Sequence, residues 1–230
     1  DRLFKALKVV VYSAAMANEL KALFKRDFDF YYTQFIDRYK INFIGEKKSD
    51  ACTGVVYIGA FFAWHRVELL VNAFRDVLSN SADAILYLVG SGPELESIRA
   101  LVQQEGIGHR VVFKGNMDKQ ALRELLEGCA IGVIPSALWF HAPLKLFQYA
   151  AAGLSIIAAD TPTISWISEQ GKAGVHLFDP SQQSLAAALL RLLADSEARQ
   201  YSQQQALHWV KQQYSDAAYS AFFETLLAIG

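Results

Sequence analysis

The 230 residues carry 22 Lys and Arg against 23 Asp and Glu, a formal net charge of -1, and 53% of them are hydrophobic. So neutral a balance argues against nucleic acid as the main partner, and that hydrophobic share belongs to a folded domain with its own core. No apolar run approaches the roughly 20 residues that a bilayer-spanning helix needs. The two cysteines, Cys52 and Cys129, form no disulfide framework, and the five scattered histidines show no HxH or HExxH pattern. No metal and no cofactor is therefore expected, and reduced thiols fit a cytoplasmic protein.

Residues 1–50 differ from the rest of the chain. Lys8–Ser13 reads as a strand and Ala14–Arg26 as an amphipathic helix, and the polar GEKKSDACTG run reads as a linker. One or two βα steps are too few for a separate core. This stretch is expected to be the remnant of an N-terminal domain, or an extension packed on the main domain at 51–230.

From Val55 the pattern becomes regular. Val55–Ile58 is an apolar strand, and Val67–Leu78 places Leu69, Leu70, Ala73, Phe74 and Val77 at helical spacing. Strand Ala84–Val89 turns through Gly90-Ser91-Gly92-Pro93 into helix Glu94–Gln104. Strand Arg110–Phe113 leads through Gly115-Asn116-Met117 into helix Lys119–Glu127. A fourth strand, Ala130–Ile134, follows Cys129, which reads as a small core residue closing the preceding helix. A helix opened by Pro143 runs to Ala152 and is closed by Gly153, since proline suits a first helical position and glycine the positive φ beyond the end. Strand Ser155–Ala159, a short helix over Ile164–Gln170, strand Val175–Phe178 and helix Gln182–Leu193, capped by Asp179-Pro180-Ser181, come next. The remainder, Ser196–Leu227, reads as helical with a break near Tyr214-Ser215-Asp216.

Six short, continuously apolar strands alternating with helices predict a parallel sheet covered on both faces. That is an α/β, Rossmann-like doubly wound domain, here with a helical C-terminal tail. Such folds bind ligands at the carboxyl ends of the strands, near the switch point in strand order. Five loops lie there: Gly59–Arg66, Gly90–Pro93, Gly115–Met117, Ser136–Lys145 and Asp160–Thr163. The β-loop-α unit ending at Pro143 aims backbone N–H groups and the positive end of a helix dipole at its loop, which suits a phosphate. Lys145 in the first helical turn is disfavoured by that dipole unless an anion sits there too. Gln148 shares its face, three residues on. His65 and Arg66 follow the first strand and offer cations to the same opening, Arg66 as a planar fork. Gly90 and Gly92 either make a tight turn or let a ligand approach the backbone. They are not a dinucleotide fingerprint, because Leu95 stands where a third glycine is required and the turn follows the second strand.

The blocks GAFFAWHRVELLVNAF, LYLVGSGPEL, VVFKGNM and APLKLFQYAAAGLSIIAAD, in this order, resemble the C-terminal half of family 4 (group 1) glycosyltransferases of the GT-B fold, over about Gly54 to Leu227. The run PLKLFxYxAAG is the most specific part, and KVVVYSAAMANELKAL resembles the last strand and helix of that family's N-terminal domain. The resemblance implies a nucleotide-sugar donor site formed by Gly59, His65, Arg66, Gly90, Gly92, Asn116, Met117, Ala142, Pro143, Leu144, Lys145 and Gln148. Lys145 and Arg66 are the implied catalytic cations, and Asn116 and Met117 would lie near the base. It further implies a retaining hexosyl transfer in glycan assembly, with the nucleotide sugar as substrate and partner. The acceptor would be bound by an N-terminal domain, so that this chain alone transfers no sugar. Peripheral association with the inner face of a membrane, through the acceptor, follows from the same resemblance. Many relatives carry two glutamates eight positions apart; here Phe140 and Gln148 occupy those places. Ala60 replaces a frequent basic residue, and His65-Arg66 stands for Lys-Gly. A non-catalytic nucleotide-sugar-binding or scaffold module is the alternative. A nucleotide-sugar epimerase would need acidic residues that the expected loops lack.

Overall fold

The computed structural model describes residues 9–11, 14–25, 30–32, 53–138, 143–168 and 173–213. Two short strands, β1 (Val9–Val11) and β2 (Phe30–Tyr32), pair in parallel as a small sheet of their own, with helix α1 (Ala14–Phe24) between them.

The main sheet has six parallel strands: β3 (Gly54–Ile58), β4 (Ile85–Val89), β5 (Val111–Gly115), β6 (Cys129–Ile134), β7 (Ser155–Ala159) and β8 (Val175–Phe178). Their order in space is β5-β4-β3-β6-β7-β8. The chain winds outward from β3 in one direction, returns to the centre, and winds outward from β6 in the other. This is the doubly wound order, with its switch point between β3 and β6.

Successive side chains of a strand point to opposite faces, and here both faces are covered. Val55 and Tyr57 of β3 join Ile131 and Val133 of β6 and Ile157 and Ala159 of β7 in one core layer. That layer is closed by α2 (Val67–Leu78), α3 (Leu95–Gln104) and α7 (Gln182–Ala194). Val56, Cys129, Ile134, Ile156 and Ala158 form the other layer. It lies under α5 (Leu144–Ala151), α6 (Pro162–Ile167), α8 (Ser196–Gln213) and Leu126 of α4 (Lys119–Glu127). The central strands β6 and β7 are buried at every residue and read as unbroken apolar runs, whereas the edge strand β5 exposes Lys114. At about 25 cal/mol per Å² of apolar area, each fully buried Leu, Ile or Phe contributes roughly 1.5–3 kcal/mol.

Most element boundaries differ from the sequence expectation by a residue or two, and three of the shifts have a visible local cause. Pro143 sits one residue before α5, at the N-cap, with ψ 78°, and its carbonyl accepts from Leu146 N at 2.8 Å. Helix α6 starts and ends earlier than Ile164–Gln170, because the Thr161 hydroxyl caps it, accepting from Ile164 N, and Pro162 takes the first turn. Cys129 opens β6 rather than closing the helix before it, and its thiol donates to the Leu125 carbonyl at 3.2 Å. Gly153, with φ 67°, ends α5 as expected: Leu154 N returns to Tyr149 O and Gly153 N to Ala150 O. The tail beyond Gln213, with its expected break at Tyr214-Ser215-Asp216, lies outside the described residues, as does most of 1–50.

Candidate active site

The site is organised by what happens where β3 and β6 part. Their pairing runs from Gly54↔Cys129 to Val56↔Gly132 and then stops. Ile58 N, past that point, donates instead to the Tyr149 hydroxyl at 2.8 Å, and the same hydroxyl donates to Val133 O at 3.4 Å. Tyr149 is wholly buried in α5, which runs over β6. Its ring lies so close to Gly132 that a Cβ there would stand 2.4 Å from it. A single side chain thus bridges the opening gap and satisfies a backbone donor that the sheet leaves unpaired. Tyr149 belongs to the most specific motif of the sequence, which by itself assigns it no role. The available signal is a phenol four residues after Lys145 on an otherwise apolar helix face.

Beyond the gap lies a cleft of about 260 Å³ lined by Ile58, Gly59, Trp64, His65, Ile134, Ser136, Ala137, Pro143, Leu144, Lys145 and Gln148. Of the five loops at the carboxyl ends of the strands, the ones after β3 and β6 form it. The cleft therefore unites Gly59, His65, Pro143, Leu144, Lys145 and Gln148, as the sequence expected.

The Lys145 ammonium is its centre. Nζ lies 3.2 Å from His65 Nδ1 and donates to Tyr57 Oη at 3.3 Å, above the Tyr57 ring at 4.3 Å from its centroid. While the amine is charged it only donates, so His65 Nδ1 then accepts and the proton of a neutral ring lies on Nε2. Tyr57 donates its own proton to Ala60 O at 2.8 Å, and burial pushes its phenol far above the usual range. Gly59 has φ 149° and would bring a Cβ within 2.7 Å of Lys145 Nζ, so a bare backbone is what lets the amine lie there. Burial pushes the Lys145 amine down to about 7. No carboxylate lines the cleft among the described residues. On its outer side Trp64 stacks on His65 at 3.7 Å between centroids.

The remaining expected residues lie elsewhere. Arg66 adopts φ 52°, ψ 44°, a left-handed conformation that glycine takes at no cost and other residues take at about 1–2 kcal/mol. Its guanidinium points away from the cleft, donating to Pro180 O at 3.1 Å, with Glu68 at 3.8 Å. Gly90 and Gly92 allow close approach, but what approaches is this chain. A Cβ on Gly90 would meet Gly59 O at 2.1 Å, and one on Gly92 would meet Phe61 N at 2.5 Å. The loops after β3 and β4 continue the ladder there, through Gly59 N to Val89 O and Phe61 N to Ser91 O. Asn116 is exposed, accepting from the Ser91 hydroxyl at 3.4 Å, and Met117 packs against the core. Ala142 and Phe140 lie outside the described residues.

A family model described as glycosyl transferases group 1 matches residues 41–209. The chain belongs to that family. Among its group 1 relatives, an uncharacterised glycosyltransferase of Methanocaldococcus jannaschii is 26% identical over 181 residues, covering 76% of this chain and 45% of the relative. The N-acetyl-alpha-D-glucosaminyl L-malate synthase of Bacillus anthracis is 28% identical over 172 residues, covering 75% and 44%. The chain thus spans about half the length of such relatives. In fold it resembles Anabaena HepE, solved in complex with UDP, with TM-score 0.80 at 16% identity over 96% of this chain and 64% of that one. It also resembles S. aureus TarM, solved with Fondaparinux, alpha-GlcNAc-glycerol and UDP, with TM-score 0.78 at 15% identity over 95% and 43%.

Proposed function

We propose that this chain supplies the donor-binding half of a sugar-nucleotide-dependent glycosyltransferase. The observation that carries the reading is the cleft at the switch point, where Lys145 in the first turn of α5 meets His65 from the loop after β3 with no acidic partner among the described residues. A helix start, an ammonium and an imidazole N–H form a receptor for a diphosphate. Charge grows on that diphosphate as the bond to the sugar breaks. Donors already in place stabilise it in the transition state without reorganisation, which lowers the barrier. Lys145 is the catalytic cation in this reading, and Gln148, lining the same wall, is placed to accept from a ribose or sugar hydroxyl. Arg66 shapes the turn that presents His65. The UDP held by the HepE and TarM structures is consistent with a nucleoside diphosphate here.

The acceptor site and the closure that excludes water belong to an N-terminal domain, so the 230 residues alone bind nucleotide and transfer no sugar. The transfer is retaining, the product a glycan, and the protein cytoplasmic, meeting a membrane only through its acceptor. Titration calorimetry with UDP and GDP tests the reading. Saturable binding of one of them is expected, weakened at least tenfold by Lys145→Ala, since a hydrogen bond to a charged group contributes about 1.5–3 kcal/mol. Binding undiminished by that change would sink it.

The cleft lining without a carboxylate favours a second reading, a nucleotide-sugar-binding module that performs no chemistry. Incubating the chain joined to its N-terminal domain with several nucleotide sugars separates the two. Transfer or donor hydrolysis excludes the module, and binding without either supports it.

A further inference from the structure

We infer that the cation of this cleft is made by its ligand: the Lys145 amine, held between His65 and Tyr57, takes up one proton when a diphosphate enters. The inference rests on the donor-binding reading and adds to it the charge state of the receptor.

The geometry forms a closed chain of groups. Tyr57, at the end of β3, fixes its own proton on Ala60 O and turns its ring and its oxygen lone pair toward Lys145. His65, from the short helical turn Ala63–His65, offers Nδ1 from the other side at 3.2 Å. Neither partner carries a negative charge. Trp64 stacked on the imidazole and the T-shaped contact between Tyr57 and His65, at 6.2 Å, hold the ring in place. The groups facing the amine from β3, from the loop after it and from its own helix are Tyr57, His65 and Gln148, and none of them supplies a negative charge. The loop residues Trp139–Ala142, outside the described residues, include no acid either.

A half-buried ammonium with no counter-charge among the described residues loses its proton more readily than in solution, at about pH 7. A diphosphate brings the missing negative charge and restores the ordinary preference for the charged form. Near pH 8 the empty site is mostly the neutral amine and the filled site the ammonium, and the proton comes from buffer. No bond other than N–H forms or breaks. The consequence for specificity is that neutral ligands gain only a neutral hydrogen bond from Lys145, whereas an anion creates the charged partner that binds it.

The test is calorimetric titration of the chain with UDP and GDP at about pH 8, where the terminal phosphate of either nucleotide carries no proton to exchange. It is run in Tris and in HEPES, buffers of different ionisation enthalpy. The apparent binding enthalpy should differ between them by an amount equivalent to nearly one proton taken up per nucleotide, and the difference should shrink as the pH is lowered toward 7. Lys145→Met should abolish the uptake while leaving the fold intact by its circular dichroism. His65→Gln, which keeps a hydrogen-bonding acceptor but no titrating ring, should retain it. Binding with no difference between buffers overturns the proton inference and leaves the donor-site reading standing. Uptake that survives Lys145→Met and vanishes in His65→Gln assigns the proton to the imidazole and overturns it equally. Failure of both nucleotides to bind overturns the donor-site reading itself.

Discussion

Two groups of charged residues, both anchored near α2, are built on opposite rules. On its outer side Arg75 donates to Glu105 at 2.6 Å and to Asp76 at 2.8 Å, and Gln182 of α7 donates to Asp76 at 2.7 Å. Each charge there has a partner: the Gln182 amide and the Arg75 guanidinium hold the Asp76 carboxyl below the usual carboxylate range. Glu105 and Asp76 in turn raise Arg75. At the carboxyl end of β3, Lys145 has neutral partners and is depressed by burial. The first arrangement is complete without a ligand and ties helices together. The second has no acid among the described residues, and a half-buried cation in a cleft without a counter-charge is the kind of group that functional sites keep and structural networks avoid. The contrast lies in the counter-charge, since both regions use long side chains reaching between elements.

The largest effect is expected where the cleft's frame is broken. Gly90→Ala would push a Cβ into Gly59 O at a φ of 124°, and a loss of at least about 3 kcal/mol is expected, read by urea denaturation. Tyr149→Phe comes next. It leaves Ile58 N unpaired in the interior at a cost of about 1–3 kcal/mol, and a loss near zero in the same assay would show that the hydroxyl does not hold the switch point.

The pH dependence of stability sharpens the comparison further. The folded pKa of Lys145, about 7, lies below that of the unfolded amine, 10.5. Between these values the unfolded chain binds more protons, so stability should rise with pH above about 7 by up to roughly 1.4 kcal/mol per pH unit from this group. The cost is fully present below pH 7 and disappears above the unfolded value. Lys145→Met should flatten that slope and raise stability at neutral pH, as measured by denaturation at several pH values. The smallest effect belongs to Arg75→Ala, because its network is largely open to solvent and screened by salt. Melting temperature should fall less than for Tyr149→Phe, and less again at high salt.

How far the sequence reaches differs between fold and site. Helix Val67–Leu78, helix Lys119–Glu127 and strands Ser155–Ala159 and Val175–Phe178 agree with the structure at both ends, because periodicity and turn residues coincide there. The sequence pattern puts Pro143 one residue too far into its helix: its ψ of 78° is not helical, and no local signal records that. Lys145, His65 and Gln148 are legible through their positions next to strand ends and a helix start. Trp64, Tyr57 and Tyr149 are not, since aromatic residues in apolar runs look like core until their polar tips are seen to have partners.

The amino-acid sequence by itself determined a parallel, doubly covered sheet, because strands buried on both faces must be apolar throughout. It also placed the loops at the carboxyl end of the sheet, because every strand is followed by a helix. Only the tertiary structure decided which loops meet. Strand order puts β3 beside β6, so the Gly59–Arg66 and Ser136–Lys145 loops form the cleft while Gly90 and Gly92 pack against backbone. It also decided that His65 turns toward Lys145 and Arg66 away. That choice follows from one left-handed residue at the start of α2, a backbone state that neighbours in space enforce and neighbours in sequence do not reveal.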